Sequence, residues 1–124
     1  MNPKKILIDA LTSLGFEDGK TIFLQGTMNP EADYPAEFVT FWTNYTADNS
    51  HYDNAANSVD WNFSVMYYAN DPQKVNTKPL EIAKALKQRG FIQQGKGQDV
   101  LSDETTHTGW ALDFIYPEYQ RKGE

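Results

Sequence analysis

The sequence predicts an α+β domain: a mainly antiparallel sheet with two helices packed on one face, in the order α-β-β-β-α-β-β. Three observations predict it. Two stretches carry apolar residues at helical spacing, both end in the pattern Leu-x-x-x-Gly-Phe, and the segments between and after them change to a period of two. With 124 residues, 40% of them hydrophobic and 23% charged, the chain fits a single domain over 1–124 with one core.

The first helix is signalled by Asn2 as cap and Pro3 at the first helical position, followed by the stripe Ile6, Leu7, Ala10, Leu11 and Leu14. Gly15 ends it in a left-handed conformation, which lets Phe16 pack back on Leu11. Strands are expected at Ile22–Gln25 and Phe38–Thr43. The connection from Asn44 to Asn57 is long for a compact domain, so it is either a functional loop or an extended hairpin.

The clearest strand runs from Trp61 to Tyr68, with Trp61, Phe63, Val65 and Tyr67 on one face and Asn62, Ser64, Met66 and Tyr68 on the other. A second helix follows from Thr77 as cap, Pro79 in the first turn, and apolar Leu80, Ile82, Ala83 and Leu86. Lys87 and Arg89 suit its C-terminal dipole, and Gly90 closes it with Phe91 packed on Leu86. A short strand is expected at Gln98–Leu101, and a longer one at Trp110–Tyr116 with Trp110, Leu112, Phe114 and Tyr116 on one face. Asp113 falls on the opposite face, towards solvent or a partner.

Charge narrows the function. The formal net charge is -6, and from Thr21 to Gln73 there is no lysine or arginine, although this block holds seven of the 17 acidic residues and 11 of the 17 aromatics. A polyanion bound to protein must be neutralised by Lys, Arg or clustered amides, so specific nucleic-acid binding is not expected. The block offers aromatic area with amide and hydroxyl groups, the chemistry of strands and protein interfaces. Zero cysteines exclude disulfides and thiolate chemistry. No stretch is long enough to span a membrane, and Met1 to Gly15 lacks the apolar run of a signal peptide. The triplets Asn44-Tyr45-Thr46 and Asn62-Phe63-Ser64 match the glycosylation pattern by chance.

Chemical motifs are weak. Gly90 to Gly97 approaches a phosphate-binding loop, but Gly97 stands where Ser or Thr is needed. The glycines also follow a helix and lead to a strand, the reverse of the context such a loop requires. His51, Asp53 and Asp48 share one segment, and His107 could join them in a metal or acid-base site, yet Asp- and Asn-rich loops usually serve turns. No serine sits in a nucleophile elbow. Trp42, Tyr45, Tyr52 and Trp61 could stack on sugar rings, which makes a carbohydrate-binding module the alternative function. Lys84, Lys87, Arg89 and Lys96 form the one basic cluster and read as a solvated face.

Read in order, Tyr34-Pro-Ala-Glu-Phe38-Val-Thr-Phe41-Trp42, Tyr52-Asp53-Asn54, Trp61-Asn-Phe-Ser-Val-Met-Tyr67, Leu86-Lys-Gln-Arg-Gly90-Phe91 and Thr106-His-Thr-Gly109 resemble a family. These are the tail-terminator, or tail-completion, proteins of long-tailed bacteriophages and their prophages. The resemblance implies a helix-and-sheet domain that forms a ring, usually a hexamer, on the end of the tail tube. It implies that the ring stops tube polymerisation and meets the head-tail connector, with a neck role as a related possibility. The expected partners are then the protein itself, the tail tube protein and the connector protein, in a virion assembled in the bacterial cytoplasm. No catalytic residue, metal or cofactor comes with the resemblance. Tyr45, His51, Tyr52, Asp53 and Asn54 are the candidate residues for contact with a subunit or partner.

Overall fold

A computed structural model of the chain describes residues 3–24, 35–48, 57–100 and 107–120. Its elements are α1 (Pro3–Thr12), β1 (Ile22–Leu24), β2 (Glu37–Asp48), β3 (Asn57–Ala69), α2 (Pro72–Lys87), β4 (Ile92–Val100) and β5 (Thr108–Gln120). The five strands form one sheet in the order β1-β2-β3-β5-β4. The predicted α+β architecture and element order are therefore those of the molecule. The sheet is mixed, because β1 lies parallel to β2 while every other pair is antiparallel. Twelve residues separate β1 from β2, the length a parallel crossover needs.

Alternation on the long central strands decides which face is dry. Phe63, Val65 and Tyr67 of β3 stand beside Phe114, Leu112 and Trp110 of β5, and Phe41 and Val39 of β2 extend the same face. Against this face pack Leu7, Ala10 and Leu11 of α1 and Val75, Ile82, Ala83 and Leu86 of α2, in one buried cluster. Both helices thus cover one side of the sheet.

The repeated Leu-x-x-x-Gly-Phe pattern is a capping device used twice. At the end of α1, Phe16 N donates to Leu11 O at 3.3 Å and Gly15 N to Thr12 O at 3.0 Å, with Gly15 at φ 100°. At the end of α2 the same pair recurs, Phe91 N to Leu86 O at 3.1 Å and Gly90 N to Lys87 O at 3.2 Å, with Gly90 at φ 95°. Each turn satisfies two orphan carbonyls and throws the following Phe back into the core, where Phe16 and Phe91 are buried.

Several expected boundaries move, β3 and β5 being longer than expected at Asn57–Ala69 and Thr108–Gln120. α2 begins at Pro72, not near Thr77, because Asp71 caps it by accepting from Gln73 N at 3.0 Å and Pro72 takes the first helical position. Pro79 consequently lies inside the helix, where it is buried against the core. β4 runs from Ile92, well before the expected Gln98, since Phe91 leaves the α2 cap directly into the sheet; Leu101 lies outside the described residues. β2 and β3 pair out to Asp48 and Val59, so the first part of the 44–57 connection is a strand extending the hairpin. Asn2 and Gln25 also lie outside the described residues.

Tyr67 tests the packing. It is fully buried, and its hydroxyl has no hydrogen-bond partner among the described residues. Burial first, then the carboxylates of Glu37, Asp71 and Glu81, push its pKa well above the ordinary tyrosine range. Tyr67→Phe is expected to raise stability by about 1 kcal/mol, since a buried unpaired hydroxyl is removed with little change of shape. That corresponds to a rise of roughly 2–5 °C in Tm by calorimetry. The folded-state pKa is raised, so the protonated hydroxyl's contribution is complete below the unfolded value of about 10 and is lost as pH climbs towards the folded one. The advantage of the Phe variant is thus expected to widen above pH ~10.

Candidate functional site

Among the described residues, the second face of the sheet carries no helix. Phe23 of β1, Phe38, Thr40 and Trp42 of β2, Asn62, Ser64, Met66 and Tyr68 of β3, and Ala111, Asp113 and Ile115 of β5 share it by register. One end is closed by rings: Phe38 stacks on Tyr68 with centroids 5.0 Å apart, and buried His107 lies 5.8 Å from Phe38. His107 Nε2 donates to the Pro35 carbonyl oxygen at 2.7 Å, which ties the start of β5 to the chain entering β2.

The middle is a polar ladder. Asn44 Nδ2 donates to Asn62 Oδ1 at 2.7 Å and to Ser64 Oγ at 2.8 Å, Asn62 Nδ2 to Gln94 Oε1 at 3.2 Å, and Ser64 Oγ to Asp113 Oδ1 at 3.0 Å. These bonds cross β2, β3, β5 and β4, and a satisfied network of this kind rigidifies the face. Asp113 is exposed on it, as expected from its place in the strand pattern.

A bulge builds the exposed part. The β2–β3 register shifts between Thr43 and Tyr45, so Asn44 and Tyr45 both stand opposite Asn62. Without the extra residue Tyr45 would turn to the helix side. With it, Tyr45 joins Trp42 on the open face, and the two side chains remain 54% and 45% exposed. Ile92 of β4, paired with Ile115, adds a third apolar side chain at 56% exposure. Large apolar groups held open above a rigid polar ladder make a contact surface.

The helix side has its own opening. A groove of about 380 Å³ lies between α2 and the β4–β5 edge, walled by Val75, Pro79, Leu80, Ala83, Trp110 and Leu112. Its polar lining is Asn76, Gln93, Lys87 and Lys96, and Leu80 stands 71% exposed on its rim. The basic cluster read as one solvated face is therefore divided. Lys87 and Lys96 serve the groove, Lys84 lines a separate hollow with Ser13 and Glu81, and Arg89 Nη1 donates to Ala85 O at 3.2 Å. Sequence reasoning missed this groove because Lys96 arrives through a bulge in β4, which no periodicity announces.

Of the candidate contact residues, Tyr45 lies on the open face; His51, Tyr52, Asp53 and Asn54 lie outside the described residues. His107 is engaged with Pro35 O and Phe38, an arrangement that fixes its ring within the fold. Trp61, a candidate for sugar stacking, is stacked on Phe63 and its Nε1 donates to Glu118 Oε1 at 3.2 Å on the helix side. Gly90 to Gly97 form a helix stop followed by a strand, so their amides do not converge on one point as a phosphate cradle requires. Among the described residues, no group of three or more His, Asp or Glu side chains is placed to hold a metal ion.

No protein-family model matches the sequence, and no curated protein matches it. Among solved structures, the chain is similar to a chain of the virion of the native gene transfer agent particle, with a TM-score of 0.54 over 90% of this chain and 92% of that one. The identity between the two is 13%, so the likeness is one of fold.

Proposed function

We propose that the protein is a structural subunit of a phage-like virion, and that it acts as a tail terminator: a ring, usually of six copies, that caps the tail tube and meets the head-tail connector. The observation that carries this is the open sheet face, where Trp42, Tyr45 and Ile92 are exposed over a hydrogen-bonded polar floor. That is a surface for protein contact, with large apolar groups standing on either side of a satisfied polar centre. The fold shared with a chain of a gene transfer agent virion supports a virion role, and the motif resemblance supports the terminator role in particular. An acidic chain with net charge -6 also suits a ring through which DNA passes, because like charge does not retain a polyanion. In this reading the protein works by shape and contact and not as an enzyme, and it needs no cofactor.

Electron microscopy of the protein mixed with isolated tail tubes tests the proposal. Rings at one end of the tube are expected, and tubes assembled without the protein should grow beyond their natural length. Absence of any association with tube or connector would defeat it. The carbohydrate alternative has lost Trp61 to the helix side and rests on Trp42 and Tyr45 within the described residues. It would be favoured by a saturable tryptophan fluorescence change with a glycan.

A further inference from the structure

Two apolar surfaces among the described residues lie on opposite faces of the same sheet. The groove between α2 and the β4–β5 edge is on the helix side, and Trp42, Tyr45 and Ile92 stand on the helix-free side. The sheet itself separates them, so the Trp42–Tyr45 surface of one copy does not reach its own groove. Each is left with exposed large apolar side chains, Leu80 at the groove and Trp42 and Tyr45 on the far face.

Their charges are opposite. Among the described residues, the groove is lined by Lys87 and Lys96 and by no acidic residue. On the open face, the strand register places Asp60 and Asp113 and no lysine or arginine among the residues of β2, β3 and β5 that share it. A contact of groove with groove would bring lysines together, and one of open face with open face would bring carboxylates together. Like charges face to face are unfavourable in a desolvated interface, and opposite ones fix register. The strand edges offer poor alternatives. β1 has three residues, and β4 is interrupted by the bulge between Gln94 and Gln98, where Lys96 stands.

We infer that the α2–β4–β5 groove of one copy receives the Trp42–Tyr45 surface of a second copy, so that subunits join head to tail through opposite faces of the sheet. Such a heterologous contact repeats until it closes, which is what a ring requires. The inference rests on the ring reading above and names the two surfaces that make the ring.

The chain has no cysteine, so introduced thiols report single contacts. Leu80→Cys and Tyr45→Cys proteins, mixed at high concentration and separately on tail tubes, are treated with a short bifunctional maleimide. A covalent heterodimer is expected well above the product of either variant alone, and a ladder of higher oligomers from the double variant. Lys20→Cys paired with Tyr45→Cys, with Lys20 exposed just before β1 at the sheet edge opposite β4, provides the background level. Lys87→Glu with Lys96→Glu in the Leu80→Cys protein should lower the heterodimer yield about tenfold, and Asp113→Lys in its partner should restore it. Circular dichroism of each variant checks that the fold is kept. Homodimers of one variant only, or no product above background in either setting, would overturn the inference. If rings form on tubes but this crosslink does not, the interface is wrong and the terminator reading stands. If the crosslink forms but nothing binds tubes, the interface stands and the terminator reading falls.

Discussion

Phe63→Ala is expected to destabilise the domain by about 3–5 kcal/mol, a large part of the roughly 5–15 kcal/mol that holds a domain of this size together. The side chain is fully buried at the centre of β3. It stacks on Trp61 with centroids 6.1 Å apart and meets Phe91 at 6.0 Å. Phe91 in turn packs edge-on to Phe114 at 6.3 Å and against Tyr116 at 4.8 Å. Phe63 therefore joins β3 to the capped end of α2, whose Phe91 reaches β5 directly. Removing it leaves a void that these large rings cannot fill, because β3 is held between β2 and β5 and Phe91 by its turn. Urea unfolding followed by tryptophan fluorescence measures the loss. Tyr45→Ala, on the opposite face and 54% exposed, should cost at most about 1 kcal/mol in the same assay. Equal costs for the two would mean that the faces have been assigned the wrong way round.

That assignment of faces was legible in the sequence because period-two alternation along residues 61–68 and 110–116 is a direct statement of which side chains meet the core. The helix ends were legible for a similar reason, since only glycine takes the left-handed conformation the turn requires and the next residue was apolar both times. The start of α2 was not. Asp71-Pro72 and Thr77-Lys78-Pro79 are both acceptable starts, and local chemistry cannot choose between them. What decides is tertiary: Val75 is buried in the same cluster as Ile82 and Leu86, so the additional turns bury apolar surface. Lys74 on those turns also reaches Glu37 of β2 at 2.9 Å, and that hydrogen bond holds its ammonium pKa above the usual lysine range. The pair is exposed and contributes little to stability, but it shows where the helix lies against the sheet.

The candidate surface was half legible. Tyr45 was singled out as a contact residue in a loop or extended hairpin and is exposed; it belongs to the extended hairpin, in a strand whose bulge turns it outwards. The residues expected beside it, His51 to Asn54, lie outside the described residues. Trp42 was weighed as interface area and as a ligand platform, and Leu80 only as a helix-core position; both are among the most exposed large apolar side chains. A helical stripe is wider than the area its sheet covers, so one apolar residue at its margin can face outwards, and the sequence pattern does not say which. Bulges in β2 and β4 shape both surfaces, and a bulge leaves no periodic trace beyond a break in alternation.

The β4 bulge can be probed residue by residue, and Gly97→Ala is expected to be far more damaging than Gly95→Ala. Gly95, Lys96 and Gly97 stand opposite Leu112 alone, since Gln94 pairs with Asp113 and Gln98 with Ala111. Both glycines have positive φ, 70° and 99°, so alanine at either position costs about 1–2 kcal/mol in backbone strain. The surroundings separate them. A methyl group at Gly95 meets nothing within 4 Å, whereas at Gly97 it would stand 2.6 Å from Ala111 O and 2.8 Å from Trp110 Cε2, and closer still to Trp110 Nε1. That indole nitrogen donates to Lys96 O at 3.1 Å, so Trp110 can yield only by breaking the bond that seats the bulge. With overpacking added to strain, Gly97→Ala should lose about 3 kcal/mol or more in urea unfolding. It should also shift tryptophan emission in the folded protein, because Trp110 walls the groove. If the groove receives a second copy, Gly97→Ala will impair assembly at temperatures where the monomer remains folded, while Gly95→Ala will assemble normally. Equal stability losses for the two would show that the close approach of Gly97 to Trp110 does not shape this edge.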